Sequence, residues 1–334
     1  MPTDSAESAG NAFAALTPDV MLDAVESLGY ICDGRFIALN SYENRVYQIG
    51  LESAEPIIAK FYRPGRWSDA AIAEEHALTL ALAAEEIPVV APLRAADGAT
   101  LHHHGGFRFA LYPRRGGRTP ELDDPHQLEI IGRFIARIHL IGEQQPFEHR
   151  ETISIERFGR EAADYLLQAG HIPMALARAY ATLVDDVLEK VRQRFERAGD
   201  VRYLRLHGDC HPGNILWRDD TPHIVDFDDA RSGPAIQDLW MFLSGDRSYQ
   251  TARLADLLEG YTQFRDFDPR ELHLVEALRS LRMIHYAAWL AHRCEEPAFK
   301  MAFPWAGTAR YWDDHILGLR EQSALLDEPA LVWD

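Results

Sequence analysis

Before residue 112 the apolar positions come in short runs, and after residue 118 they recur at three- and four-residue spacing. Pro56-Ile57-Ile58-Ala59-Lys60-Phe61-Tyr62 is a strand pattern broken by one lysine, and Phe107 to Leu111 is another. Between them, Ser68 to Glu86 carries Ile72, Leu78 and Leu82 on a helical repeat, with Ser68 in position to cap it. Beyond Arg118, helices are predicted over Pro125 to Gln144, Ile155 to Ala169, Met174 to Ala198, Asp246 to Phe264, Pro269 to Arg293 and Ala309 to Leu326. Asp124 caps the first of these, and Pro125 takes its first position. The pattern predicts an α+β chain in two lobes. Residues 1–111 form an antiparallel sheet with one helix, 112–118 (Tyr-Pro-Arg-Arg-Gly-Gly-Arg) a hinge, and 119–334 a mainly helical lobe.

One segment of the second lobe departs from helical spacing. His207-Gly208-Asp209-Cys210-His211-Pro212-Gly213-Asn214 leads into two short strand patterns, Ile215-Leu216-Trp217 and His223-Ile224-Val225, around the turn-rich Arg218 to Pro222. A hairpin there returns Asp226 to the neighbourhood of Asn214. An Asp with an Asn five positions on, followed by an acidic residue after a short strand, is the order of a phosphoryl-transfer site. The chemistry needs a carboxylate to orient and deprotonate the attacking hydroxyl, which suits Asp209. It also needs oxygen ligands for Mg²⁺, which suits Asn214 and Asp226. His207 is expected to brace the loop.

Lys60, in its apolar strand, is the candidate to contact the α- and β-phosphates of ATP. Glu74 or Glu75 on the following helix should pair with it, and the apolar spacing favours Glu75. No glycine-rich motif precedes the lysine strand. The corresponding turn in Leu39-Asn40-Ser41-Tyr42-Glu43-Asn44-Arg45-Val46-Tyr47 is polar, so Ser41 and Asn44 either offer groups to phosphate or close a hairpin, with Ser41 the preferred nucleotide contact. After Asp226 the chain is predicted to enter a helix directly, with Asp238 in its first turn. Asp228 and Asp229 would be a second metal contact or solvated turn carboxylates.

Charge narrows the partners. Lys and Arg total 34 against 52 acidic residues, a formal charge of -18, which argues against a nucleic-acid or anionic membrane surface. Cys32, Cys210 and Cys294 are odd in number and scattered, which favours a reducing cytosol over a disulfide framework. No apolar run has membrane-spanning length, and Met1 to Asn11 lacks a secretory signal, so a cytoplasmic protein is expected. Met1 to Leu16 reads as a frayed end. His102-His103-His104 precedes Gly105-Gly106, so a hairpin turn is expected there rather than a metal site.

The combination of Leu206-His207-Gly208-Asp209-Cys210-His211, Asn214-Ile215-Leu216, Val225-Asp226-Phe227-Asp228-Asp229-Ala230 and Gly233-Pro234 with Asp238-Leu239-Trp240 resembles the aminoglycoside phosphotransferase and choline kinase superfamily. That superfamily keeps the protein-kinase fold with a shortened activation segment. Residues 39–47 and Lys60-Phe61-Tyr62-Arg63-Pro64 resemble its bacterial stress-response serine/threonine protein kinases. The resemblance implies dependence on ATP and Mg²⁺, Asp209 as catalytic base with Asp226 also catalytic, Asn214 and Asp226 as metal ligands, and Ser41 as an ATP contact. It further implies that adenine lies against Leu111 to Pro113, and that a monomer acts on a protein Ser or Thr. A small-molecule kinase acting on an aminoglycoside or choline would use the same catalytic residues, and so would a nucleotide-binding pseudokinase.

Overall fold

The N-terminal apolar runs form a five-stranded antiparallel sheet in the computed structural model, which describes residues 12–333. Its strands are β1 (Cys32–Leu39), β2 (Arg45–Leu51), β3 (Ile57–Phe61), β4 (His102–His104) and β5 (Phe107–Pro113), in the order β1-β2-β3-β5-β4. Lys60 lies opposite Val46 on one side and Ala110 on the other. It is therefore central in the sheet and buried, not an edge lysine kept for solubility. The alternation of β3 explains the interrupted run. Ile57, Ala59 and Phe61 face one core with Ile49 and Phe109, while Lys60 and Tyr62 face the opposite side, where Ile72 packs on Tyr62.

A short helix, α1 (Pro18–Glu26), packs near β1 and β4, and α2 (Asp69–Ala84) connects β3 to β4. The Ser68 hydroxyl caps α2 by accepting from the Ala71 N–H at 3.1 Å. α2 buries Ile72 beneath the sheet, and Leu78 and Leu82 in the core of the helical part, so it ties the two regions together. The expected frayed end is corrected in part. Met1 to Asn11 lie outside the described residues, but Phe13 is buried and stacks on Phe107 with centroids 6.1 Å apart. The β4–β5 turn is formed by Gly105 and Gly106, both at positive φ, as a two-residue hairpin requires.

The helical part contains α3 (Pro125–Gly142), α4 (Glu161–Gln168), α5 (Met174–Ala198), α6 (Arg247–Tyr261), α7 (Val275–Arg293), α8 (Pro297–Ala302) and α9 (Ala309–Leu325). Asp124 accepts from the His126 N–H and caps α3, with Pro125 following. Helices expected to be continuous are subdivided. A π turn, Glu156–Arg160, precedes α4, and a 3₁₀ segment, Pro269–Leu274, precedes α7. The helix expected after Asp229 does not form. Arg231–Pro234 pair with Tyr203–Leu206, and two 3₁₀ turns follow, Ala235–Asp238 and Trp240–Phe242. Extended pairing through Pro234 takes up the residues that would have begun the helix, and short buried 3₁₀ turns carry no apolar period to detect. Among the described residues no helix is long and apolar enough to cross a membrane.

Candidate active site

Two small ribbons carry the loop with Asp209. β6 (Tyr203–Leu206) and β9 (Arg231–Pro234) form one, β7 (Ile215–Arg218) and β8 (Thr221–Ile224) the other. The β7–β8 turn is tighter than expected. Thr221 and Pro222 belong to β8, and only Asp219 and Asp220, each at φ +52°, make the turn. The register sets Ile215 opposite Ile224, and the Val225 N–H donates to the Asn214 carbonyl at 3.0 Å. This delivers Asp226 beside Asn214.

The loop is held by its backbone. The N–H groups of His207 and Gly208 each donate to the Asp238 carboxylate at 2.8 Å, and the Gln237 amide donates to the Gly208 carbonyl at 3.0 Å. His207 accepts on Nδ1 from the Asp209 N–H and donates from Nε2 to the Val225 carbonyl at 2.9 Å, a bracing role. The Asn214 Nδ2 donates to the Asp209 carbonyl at 3.0 Å, locking the two ends of the loop. Asp238 thus acts on the loop backbone from a 3₁₀ turn, not from the first turn of an α-helix.

That turn is anchored by buried Glu271, which accepts from the Ile236 N–H at 2.7 Å, and burial pushes its carboxyl up to about 7. A carboxyl whose folded value is raised contributes stability at low pH that is lost as pH rises toward 7. A shift of this size corresponds to roughly 3 kcal/mol. Glu271→Gln keeps a carbonyl acceptor and removes the titration. Its melting temperature is expected to overtake the wild type between pH 5 and 8, and a difference that does not change with pH would exclude this account.

Lys60 is the electrostatic centre. Its Nζ lies 3.1 Å from Asp228 Oδ1, 3.2 Å from Asp226 Oδ1 and 3.7 Å from Glu75 Oε1. Burial alone would lower its pKa, but Asp228, Glu75 and Asp226 outweigh burial and hold it above the usual lysine range. Glu75 is the lysine's partner and is also bonded by Arg150 at 3.0 Å, whereas Glu74 accepts from the backbone N–H groups of Glu148 and His149. Asp228 is buried and the Asp229 side chain is 34% exposed, and each is held by arginine. Arg66 bonds both, and Arg231 also bonds Asp229. Asp226 differs from them. It sits at φ 62°, ψ 63°, and its side chain is 56% exposed with Lys60 as its ion-pair partner.

Ser41 lies in the β1–β2 turn, and its hydroxyl donates to the Asn44 carbonyl at 3.2 Å. Asn44 is buried and its Oδ1 accepts from the Arg63 N–H, so that side chain closes the turn. Between them Glu43 reaches the helical part, pairing with Arg293 and accepting from Trp289 Nε1 at 2.7 Å. Below this turn a cavity of about 420 Å³ adjoins Asp209, lined also by Tyr42, Arg66, Tyr286, Trp289 and Phe303.

Asp209 Oδ1 is bonded by Arg282 from α7, and Oδ2 lies 3.5 Å from His211 Nε2. Because His211 Nδ1 accepts from the Gly213 N–H, its neutral ring carries the proton on Nε2, facing Asp209. Burial pushes the Asp209 carboxyl up, but His211 and Arg282 together hold it well below the usual range. Arg66, Arg150, Arg231 and Arg282 were not foreseen. Sequence distance hides most of them, since Arg66 and Asp228 are 162 residues apart and Arg282 and Asp209 are 73 apart, although Arg231 bonds Asp229 two residues before it.

The residues suit a magnesium nucleotide. Among the described residues no group of three or more His, Cys, Asp or Glu could hold a metal. A magnesium completed by water and phosphate requires only one or two protein oxygens, and Asp226 keeps most of its carboxylate open.

Residues 35–275 match the phosphotransferase enzyme family. The chain is 44% identical to Stress response kinase A of Escherichia coli K12 and 43% identical to the serine/threonine protein kinase RdoA of Salmonella typhimurium, in each case over 96% of both chains. Among solved structures it is similar to the amicoumacin kinase hAmiN in complex with AMP-PNP, Ca²⁺ and Ami. That match has a TM-score of 0.74 and 20% identity over 94% of each chain, and it shows the shared α+β fold. With most of its length matched, the chain belongs to the phosphotransferase enzyme family and is a kinase.

Proposed function

We propose that the chain is an ATP- and Mg²⁺-dependent serine/threonine protein kinase of the bacterial stress response, acting as a cytoplasmic monomer. Residues 1–111 would form the nucleotide lobe, 112–118 the hinge, and 119–334 the catalytic and substrate lobe. The observation that carries this reading is the meeting of Lys60, Glu75 and Asp226 from distant segments, with Asn214 beside Asp226 and tied to Asp209.

Lys60, held by Glu75, would contact the nucleotide phosphates, with Ser41 in the turn above them. Asn214 and Asp226 would hold Mg²⁺, which supplies charge neutralisation at the phosphate oxygens. Asp209 would orient the acceptor hydroxyl and accept its proton as oxygen attacks the γ-phosphorus and the bond to ADP breaks. Its lowered pKa makes orientation the larger part of that role.

The near-full-length similarity to Stress response kinase A and RdoA favours a protein acceptor. The cavity speaks against a cationic aminoglycoside, because its carboxylates Glu43, Asp209 and Asp229 are each already paired with arginine. The direct test is transfer of labelled γ-phosphate to a mixed protein substrate and to the enzyme itself, beside aminoglycosides and choline. Label on Ser or Thr supports the reading, and label confined to a small molecule replaces it. Asp226→Ala is expected to weaken Mg·ATP binding by about tenfold or more in titration. Lower turnover with unchanged affinity would remove Asp226 from the metal site.

A further inference from the structure

We propose that Arg282 is a positioning residue for phosphoryl transfer: it clamps one oxygen of the Asp209 carboxylate and offsets its charge, so that the other oxygen, 3.5 Å from His211 Nε2, is the one presented to the acceptor hydroxyl beside a polyanion. The inference rests on Asp209 being the base.

A carboxylate working next to a triphosphate faces repulsion that low-dielectric surroundings strengthen. The loop between Asp209 and Asn214 holds Cys210, His211, Pro212 and Gly213, with no lysine or arginine. The nearby cations are committed elsewhere. Lys60 is surrounded by Glu75, Asp226 and Asp228, Arg66 bonds Asp228 and Asp229, and Arg231 bonds Asp229. Arg282 alone of the cavity's arginines pairs with Asp209, and its side chain is 41% exposed.

Its mounting is rigid. Leu278 and Leu281, on the same helix, are buried and line the same cavity, so the guanidinium reaches Asp209 from a fixed base. The division of the carboxylate follows, with Oδ1 held by Arg282 and Oδ2 toward His211. With side chains 41% and 21% exposed the pair is partly open to solvent, which limits its contribution to folding.

The test compares Arg282→Gln, Arg282→Lys and Arg282→Ala with Asp209→Asn. Arg282→Gln is expected to lower kcat about a hundredfold. Directly measured ATP affinity should stay within about twofold of wild type and the melting temperature within about 2 °C. Arg282→Lys should recover part of the rate by restoring charge without the planar fork. Millimolar guanidinium should raise the turnover of Arg282→Ala and leave the wild type unchanged, which a merely structural role would not produce. Arg282→Gln turnover within about threefold of wild type would overturn the proposal, as would a loss matched by equal losses of ATP affinity and melting temperature. Asp209→Asn with wild-type turnover would instead remove Asp209 as the base, whatever the Arg282 variants do.

Discussion

Asp209→Ala is expected to abolish most turnover, by about a thousandfold, while leaving the fold and ATP binding nearly intact. The fold should survive because the loop is fixed by groups other than this side chain. Asp238 holds the backbone of His207 and Gly208, and Asn214 bonds the Asp209 carbonyl, which the substitution keeps. Removing the carboxylate also relieves its desolvation, which offsets the lost contact with Arg282. Nucleotide binding should survive because Lys60, Asn214 and Asp226 are unchanged. Single-turnover phosphate transfer, direct nucleotide titration and thermal unfolding check the three statements separately. Retention of more than about a tenth of the wild-type rate would show that another group takes the proton.

The sequence made legible the part of this site that depends on short-range order. Asp209, Asn214 and Asp226 lie within one loop and hairpin, so their spacing and the strand patterns between them were enough to bring them together. Lys60 was legible because a charged residue inside an apolar run must have a reason to be buried, and Glu75 because helical spacing turns it inward while Glu74 faces the Glu148–His149 backbone. The arginines were not legible. Arg66, Arg150 and Arg282 take their partners from tertiary packing, Arg231 is buried in the ribbon where it pairs with Asp229 two residues before it, and an arginine on a helix or in a loop is ordinarily solvated. The same limit explains Asp228 and Asp229, which resemble turn carboxylates in sequence but lie against Lys60, Arg66 and Arg231 in space. The segment after Asp229 departs from the helix its sequence predicts for a different reason. Its Gly233-Pro234 pair sits in a two-stranded ribbon whose other strand is nearly thirty residues earlier, and the first 3₁₀ turn beyond it is buried at every position.

Lys60→Met is expected to damage stability and catalysis together, which separates it from Asp209→Ala. The lysine is buried among Glu75, Asp226 and Asp228, so its removal leaves negative charge gathered in a poorly solvated place. Losing one member of a buried ion pair typically costs 3–5 kcal/mol, and the cost here should lie near 3 kcal/mol, because Glu75 retains Arg150 and Asp228 retains Arg66. Turnover should fall by about a hundredfold or more through the loss of a fixed cation at the phosphates. Lys60→Arg should not restore it. Its planar fork cannot take the place of a compact ammonium lying within 3.7 Å of three separate carboxylates on a central strand. Thermal unfolding read beside nucleotide titration decides the matter. A variant that keeps its melting temperature and its ATP affinity would show that the carboxylates tolerate one another, and that Lys60 is not the centre of this charge cluster.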